Sequence, residues 1–325
     1  MIVVTTPTGN IGRQVLGEVL ARRTERGEQG EPVRVIARDP SRLAPDVRGR
    51  VEVVQGSMTD PEVLATAFAG ADSVFWLVPP YTEGAEVAGY AVDFTRPACE
   101  AISARGVRRV VAVTGLGAPA APHAPAASAV SAAPHAPAAS AVSATPHAPA
   151  GPGLGSRALD ALIESTGVAY RSLRMPAFME NLLQQLGPIR DQGVFFLPIS
   201  GDRRIPTCAT RDIAAVAAEL LLDGSWDGQE GVPVLGAEDL SYRDMARVMS
   251  EVLGRPIRYQ QVPGEAFKAQ LTRQGMPGAW ARSVVDLLAE VDAGCYDAEP
   301  RTARSTTPTT FRQWCEDVLK PAVAG

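Results

Sequence analysis

The chain is poor in the side chains on which much enzyme chemistry depends. Its only lysines are Lys268 and Lys320, and its only histidines are His123, His135 and His147. That scarcity excludes a histidine-based triad, a histidine-rich zinc site and the lysine of a phosphate-gripping loop. Cys99, Cys208, Cys295 and Cys315 show no paired metal-ligand spacing, so they are expected to be reduced, as in a cytoplasmic protein. No apolar run approaches the ~18 residues of a membrane span. A strand is expected from Ile2 onward, with no signal segment ahead of it. Basic residues number 31 against 36 acidic, a net charge of −5. That is the wrong sign for a nucleic-acid partner. The expectation is a soluble cytoplasmic protein with a small-molecule partner, its oligomeric state open.

What is present is a long apolar repertoire, 46% of 325 residues, enough for about two domains. Near-continuous apolar runs at 2–5, 33–37, 51–54, 73–78 and 110–114 match strands covered on both faces, as in a parallel sheet. Between them Ile11, Val15, Leu16, Val19 and Leu20 recur at helical spacing, as do Val63, Leu64, Ala67 and Phe68. A third helix carries Val87, Ala91, Phe94, Ala98 and Ile102, with Pro97 expected to kink or restart it. Repeated β-α-β units predict a doubly wound sheet.

Residues 121–132 read APHAPAASAVSA, and 133–144 repeat them. Such a segment has no large apolar side chains to offset ordering entropy, so a disordered insert at about 118–153 is expected in preference to a histidine metal tract. Beyond it, 156–165 reads as a helix and 170–173 as a sixth strand. Helices are then expected at 178–186, 210–222, 241–253, 264–274, 278–291 and 309–319. Short strands are expected near 194–197, 233–235 and 257–262, with 187–206 rich in turns. The predicted organisation is a sheet domain at 1–176 and a smaller, mainly helical lobe at 177–325, some of whose strands rejoin the sheet.

Chemistry enters at Thr6-Pro7-Thr8-Gly9-Asn10-Ile11-Gly12, between the first strand and the first helix. Gly9 lets the backbone approach a pyrophosphate and Gly12 allows close helix packing, as in a Rossmann-type dinucleotide site. Thr6 stands where the first glycine of that pattern belongs. After the second strand come Arg38 and Arg42, whose guanidinium groups suit a ribose 2′-phosphate, so NADP(H) is favoured and NAD(H) is the alternative. Asp39, one position late for a ribose hydroxyl, is expected to cap the following turn.

TPTGNIG, VRVIARDPSRL, GADSVFWLVPP, AYRSLRMPAFMEN, LSYRDMARVMSEVLGRPIRYQQVP and TTFRQWCEDV together resemble the NmrA-like group of atypical short-chain dehydrogenase/reductases, in particular its quinone-oxidoreductase-like members. The resemblance covers the chain except the repeats. It implies that Thr8, Gly9, Asn10, Ile11 and Gly12 hold the pyrophosphate, Arg38 the 2′-phosphate, and Gly56, Ser57 and Met58 the adenine side. Leu77, Val78 and Pro79 would line the ribose and nicotinamide, with Pro176 and Phe178 nearby, while Met179 and Asn181 enter the substrate cleft. The usual Tyr-x-x-x-Lys pair is absent, and Ser156-Arg157 stands where relatives carry Ser-Lys. An arginine keeps its proton, so Arg157 suits anion stabilisation but is a poor acid.

The leading expectation is NADPH-dependent hydride transfer to a quinoid or carbonyl substrate, with an aromatic partner and possible biosynthetic role. Thr114, Arg157 and Tyr81 are the candidates for supporting the reacting group, and Tyr81, Phe178 and Asn181 for holding substrate. Each has a plainer alternative: a strand-end cap, a surface charge, a loop aromatic, interlobe packing. Two other functions stay open: a redox sensor that binds cofactor without turnover, and a cofactor-dependent isomerase or dehydratase. Trp226, Tyr242, Phe267, Met276 and Trp280 suggest an apolar pocket in the second lobe.

Overall fold

A computed structural model describes residues 1–27, 32–79, 89–117 and 152–325. The twelve-residue repeats, their histidines and Tyr81 lie outside these. In chain order the first half contains β1 (Ile2–Val4), α1 (Asn10–Glu25), β2 (Val33–Ala37), α2 (Pro45–Arg48), β3 (Val51–Gln55) and α3 (Pro61–Ala67). β4 (Ser73–Trp76), α4 (Tyr90–Arg105), β5 (Arg109–Gly115), α5 (Pro152–Glu164) and β6 (Ala169–Met175) complete it. The second half begins with β7 (Ala177–Phe178), a tight 3-10 segment at Met179–Gln185 and α6 (Leu186–Gln192). β8 (Val194–Leu197), β9 (Arg204–Cys208), α7 (Thr210–Leu222), β10 (Gln229–Pro233) and β11 (Asp239–Ser241) follow. Last come α8 (Tyr242–Leu253), β12 (Arg258–Gln261), α9 (Gly264–Arg273), α10 (Gly278–Asp292), α11 (Phe311–Trp314) and α12 (Lys320–Ala324).

Seven strands form the main sheet in the order β3-β2-β1-β4-β5-β6-β10, and every neighbouring pair is parallel. A parallel sheet must be covered on both faces, and the alternation along the strands supplies both. Val74 and Trp76 of β4 face Leu64, Phe68, Ile102 and Ile163, while Phe75 faces Val15, Leu16, Ile213 and Ala217. The second layer is α1 with α7, a helix from the chain's second half. Ala214, Ala217 and Ala218 are fully buried there, and such small side chains let the two helices approach closely. Because α7 belongs to this layer and β10 to the sheet itself, the sheet domain recruits chain well past residue 176.

The remaining elements form the second lobe. β7, β9 and β11 make a small sheet, and β8 pairs with β12. Phe195, Tyr242, Met249, Phe311 and Trp314 fill its core, and burying each large apolar side chain contributes about 1.5–3 kcal/mol. α8 opens with a reciprocal cap in which Ser241 Oγ accepts from Asp244 N–H and the Asp244 carboxylate accepts from Ser241 N–H.

Two expectations change. Helix α4 runs through Pro97 without a break; the cost is one lost hydrogen bond to the Asp93 carbonyl, and packing of Ala98, Cys99 and Ile102 against the sheet outweighs it. The stretch expected to be turns contains α6, nucleated after the 3-10 segment and stopped by Gly193 in the left-handed region at φ 63°.

Asp212 of α7, only 4% exposed, accepts from Thr309 N–H at 3.0 Å and Thr309 Oγ1 at 2.6 Å, fastening the C-terminal segment to the sheet layer. Asp212→Ala leaves a buried N–H unpaired and is expected to lower unfolding free energy by about 1–3 kcal/mol, measurable by urea titration.

Candidate cofactor and substrate site

The strand order reverses between β1 and β4, so the connections leaving their C-terminal ends diverge and open a crevice. Thr5 locks the two strands there, donating its hydroxyl to the Phe75 carbonyl at 2.8 Å. Thr6 then turns the chain with φ at 51°. A β-branched residue in the left-handed region costs about 1–3 kcal/mol, so the chain keeps the backbone shape of the missing glycine at an energetic cost. Gly9 N–H bonds the Thr6 carbonyl at 2.9 Å. A Cβ on Gly12 would stand 2.1 Å from that carbonyl oxygen, which no side chain tolerates. The N-cap of α1 is Gly9, with no side chain satisfying the helix's first N–H groups, and Thr6 Oγ1 is buried without a hydrogen-bond partner. These are the features a pyrophosphate fits: open donors, no Cβ in the way and a polar atom awaiting a partner.

The other residues expected at the cofactor lie on the same edge. Arg38 and Arg42 follow β2 and are exposed; Arg38 has no ion pair among the described residues. Asp39 is taken up as a cap, accepting from Ser41 N–H at 3.0 Å and Ser41 Oγ at 2.6 Å, and these bonds hold its carboxyl below the usual range. After β3, Gly56 leaves space that a Cβ would lose to Val63 Cγ2 at 2.3 Å. Ser57 Oγ pairs with Thr59 Oγ1 at 2.8 Å, and Met58 is buried against the sheet. Leu77, Val78 and Pro79 follow β4, half-buried.

Beside this edge is a cavity of about 410 Å³ between the sheet and the second lobe. Thr114, Gly115 and Leu116 from the end of β5, Ser156 from α5, and Met175 to Phe178 after β6 form its sheet side. Phe267, Leu271, Met276, Leu287 and Leu288 form the lobe side, with Tyr242 and Tyr296. Asn181, Gln184, Gln270 and Gln274 supply amides, and no acidic or basic side chain is among the described lining residues. Burial raises the hydroxyls of Tyr242 and Tyr296 far above their usual range, which suits them to donating hydrogen bonds without losing protons.

The structure thus gathers Thr114, Pro176, Phe178 and Asn181 around one chamber. Arg157 is exposed and does not line it; its neighbour Ser156 does, accepting the Gly115 N–H at 2.9 Å. Of the pocket residues expected in the second lobe, Tyr242, Phe267 and Met276 line the chamber. Trp226 does not, because its ring packs under Arg171 and Arg109, whose guanidinium carbons lie 4.4 and 5.7 Å from its centroid. Trp280 is turned edge-on to Tyr90 at 5.4 Å. Sequence reasoning singled out Asn181 but passed over Gln184, Gln270 and Gln274, which have no motif and come from the 3-10 segment and the end of α9.

Burial raises Cys99 and Cys295 to about 11 and Cys315 to about 12, and pushes Cys208 well above its usual range, which favours the protonated thiols; none of the four is in a disulfide. The described residues hold no cluster of metal-ligating side chains.

A glycine-bearing loop at the crossing of a doubly wound sheet is how such folds hold dinucleotides, and it defines the class: a dinucleotide-binding α/β protein. Comparison with known proteins supplies the family. The NAD(P)H-binding family matches residues 7–223 and the NmrA-like family residues 158–306; the chain belongs to the NAD(P)H-binding, NmrA-like family. It is 28% identical over 306 residues to an NAD(P)H azoreductase of Xenophilus azovorans, covering 93% of this chain and 92% of that one. It is 31% identical over 278 residues to a (4-alkanoyl-5-oxo-2,5-dihydrofuran-3-yl)methyl phosphate reductase of Streptomyces griseus, covering 85% and 82%. An NADPH-dependent quinone oxidoreductase from Escherichia coli, solved with NADPH, shares the fold at a TM-score of 0.71 and 20% identity over 100% of this chain and 99% of its own.

Two outcomes are expected at the nucleotide edge. Gly12→Ala drives a methyl group into the Thr6 carbonyl and should abolish saturable NADPH binding in a fluorescence titration. Arg38→Ala, which removes a charged donor, should weaken NADPH binding about 10- to 100-fold while changing NADH binding less than about twofold.

Proposed function

We propose that the protein is an NADPH-dependent reductase of an uncharged, largely apolar small molecule, quinoid or aromatic in character. The observation that carries this reading is the charge-free chamber set against the C-terminal ends of β5 and β6. A carboxylate or phosphate buried there would lack a counter-charge and lose its hydration. A flat conjugated molecule meets apolar walls and amides placed to orient its carbonyls.

NADP(H), when bound, supplies the hydride. In this reading Thr6, Thr8, Gly9, Asn10, Ile11 and Gly12 hold its pyrophosphate. Arg38 and Arg42 take the 2′-phosphate, Ser57 and Met58 flank the adenine, and Leu77, Val78 and Pro79 lead toward the chamber. Pro176 and Phe178 confine the nicotinamide end from the side of β6. Substrate lies between Phe178 and Phe267, its oxygen within reach of amides and hydroxyls, and the apolar lobe excludes water. A quinone is an apt acceptor because negative charge on its reduced form is spread over the ring and needs only hydrogen-bond support. The azo and quinone chemistry named in the relatives is of the same kind, electron-poor conjugated systems. Four cysteines, none in a disulfide, suit a reducing compartment, which favours a cytoplasmic setting.

The test compares NADPH oxidation with menadione and with its sulfonated analogue. The uncharged quinone is expected to show at least about tenfold higher kcat/KM, the difference residing in KM, since an uncompensated charge in the chamber costs more than about 1.4 kcal/mol. Equal efficiency would contradict the charge-free chamber as the substrate site. Tight NADPH binding without oxidation would favour a sensor.

A further inference from the structure

Behind the chamber wall lies a group of buried polar residues that neither the cofactor nor the shape of the cavity requires. Thr114 and Ser172 stand on adjacent strands, on the face of the sheet covered by α5, with their hydroxyl oxygens 2.7 Å apart. Ser172 is only 2% exposed, and its hydroxyl is among the groups that favour the charged form of the Asp160 carboxyl on α5. The Tyr170 hydroxyl donates to Asp160 Oδ1 at 2.7 Å. Two hydrogen-bonded hydroxyls, beginning at the chamber wall, therefore stand beside a half-buried carboxyl. Polar groups in a sheet otherwise filled by valine, leucine and tryptophan carry a desolvation cost, and a single hydroxyl would have capped the end of β5.

We propose that Asp160, Ser172 and Thr114 form a proton relay that completes the reduction. The inference rests on the reductase reading above. Once reduced by hydride, the substrate carries negative charge on oxygen or nitrogen. The Thr114 O–H bond breaks as its proton passes to that atom, Ser172 passes its hydroxyl proton to Thr114 Oγ1, and Asp160 passes its carboxyl proton to Ser172 Oγ. Asp160, left as a carboxylate, recovers a proton from water, so both hydroxyls end as they began and the substrate gains one hydride and one proton. Thr114 is the catalytic residue of the set; Ser172 and Asp160 act through it.

The neighbouring groups favour this direction. Burial raises the Asp160 carboxyl above its usual 3.8, against the opposing influence of Tyr170, Ser172 and Arg174. Arg174 is itself drawn toward Glu299, 3.7 Å away. Helices α4 and α10 also pack on α5 but contribute none of the groups acting on this carboxyl. Burial, with Asp160 beside it, pushes the Tyr170 hydroxyl well above 10, so Tyr170 holds the carboxyl without giving up its proton.

The test uses the full chain, NADPH and menadione, with Ser172→Ala, Ser172→Thr and Asp160→Asn. An infrared titration of the cofactor-free protein should show a protonated-carboxyl band that disappears as pH rises through the Asp160 pKa and is missing in Asp160→Asn. In the wild type, kcat should fall with rising pH over the same range and show a solvent deuterium isotope effect. Ser172→Ala should lose that isotope effect and reduce kcat about tenfold, less than a general acid often supplies because the reduced quinone is already a stabilised anion. Its Kd for NADPH should be unchanged, and Ser172→Thr should restore the isotope effect. Ser172→Ala and Asp160→Asn proteins that keep the wild-type pH profile and isotope effect overturn the relay, whatever their kcat. A wild type that oxidises no NADPH with menadione overturns the reductase reading and the relay together.

Discussion

Helix α1 can begin where it does because nothing larger than hydrogen stands between Gly12 and the Thr6 carbonyl, where a Cβ would sit 2.1 Å from the oxygen. That close approach fixes the turn after β1 and aims the helix's first N–H groups at the crevice. It also presses Val15, Leu16 and Val19 against the sheet beneath. The strand order then places the ends of β2, β3, β4, β5 and β6 along one rim. In the proposed reading, a nucleotide stretched along that rim would meet Arg38 at one end and the chamber beside Thr114 at the other. The left-handed Thr6 keeps this geometry without the expected glycine, and the fold elsewhere absorbs the strain.

The chamber and the rim divide the work. The rim offers backbone N–H groups and guanidinium charge, which suit phosphates; the chamber offers aromatic and aliphatic walls with amides, which suit a neutral conjugated ring. Asp160 lies behind the chamber wall, where burial raises its carboxyl above the usual range without placing charge against an apolar substrate. The polar strand interior at Tyr170, Ser172 and Thr114 thus joins a scaffold optimised for packing to chemistry that needs a proton.

Much of this was legible from periodicity and turn chemistry. The strands of the first half and helix α7 follow directly from apolar spacing, and the loop at Thr6–Gly12 from its place between a buried strand and an amphipathic helix. Pro97 did not break α4, because tertiary packing exceeded its cost, and helix α6 was hidden in a stretch rich in glycine, proline and aspartate. Site residues were less legible. Ser156 and Arg157 are adjacent in sequence, yet the helical turn sends one to the chamber and the other to solvent. Trp226 looked like a pocket residue until its ring was found under two arginines. Asp160, Tyr170 and Ser172 carry no motif, since this polar group across a helix and two strands comes together only once the register pairs Thr114 with Arg174 and Ala112 with Ser172.

The central claim is that cofactor on the rim reduces a molecule in the chamber. Its most direct test is single-turnover mixing of the protein with NADPH deuterated at the transferable position, with menadione in excess. A primary isotope effect on nicotinamide oxidation, seen only with the quinone present, is the predicted result. Saturable NADPH binding with no quinone-dependent oxidation would contradict the account and leave a protein that reads the cofactor without spending it.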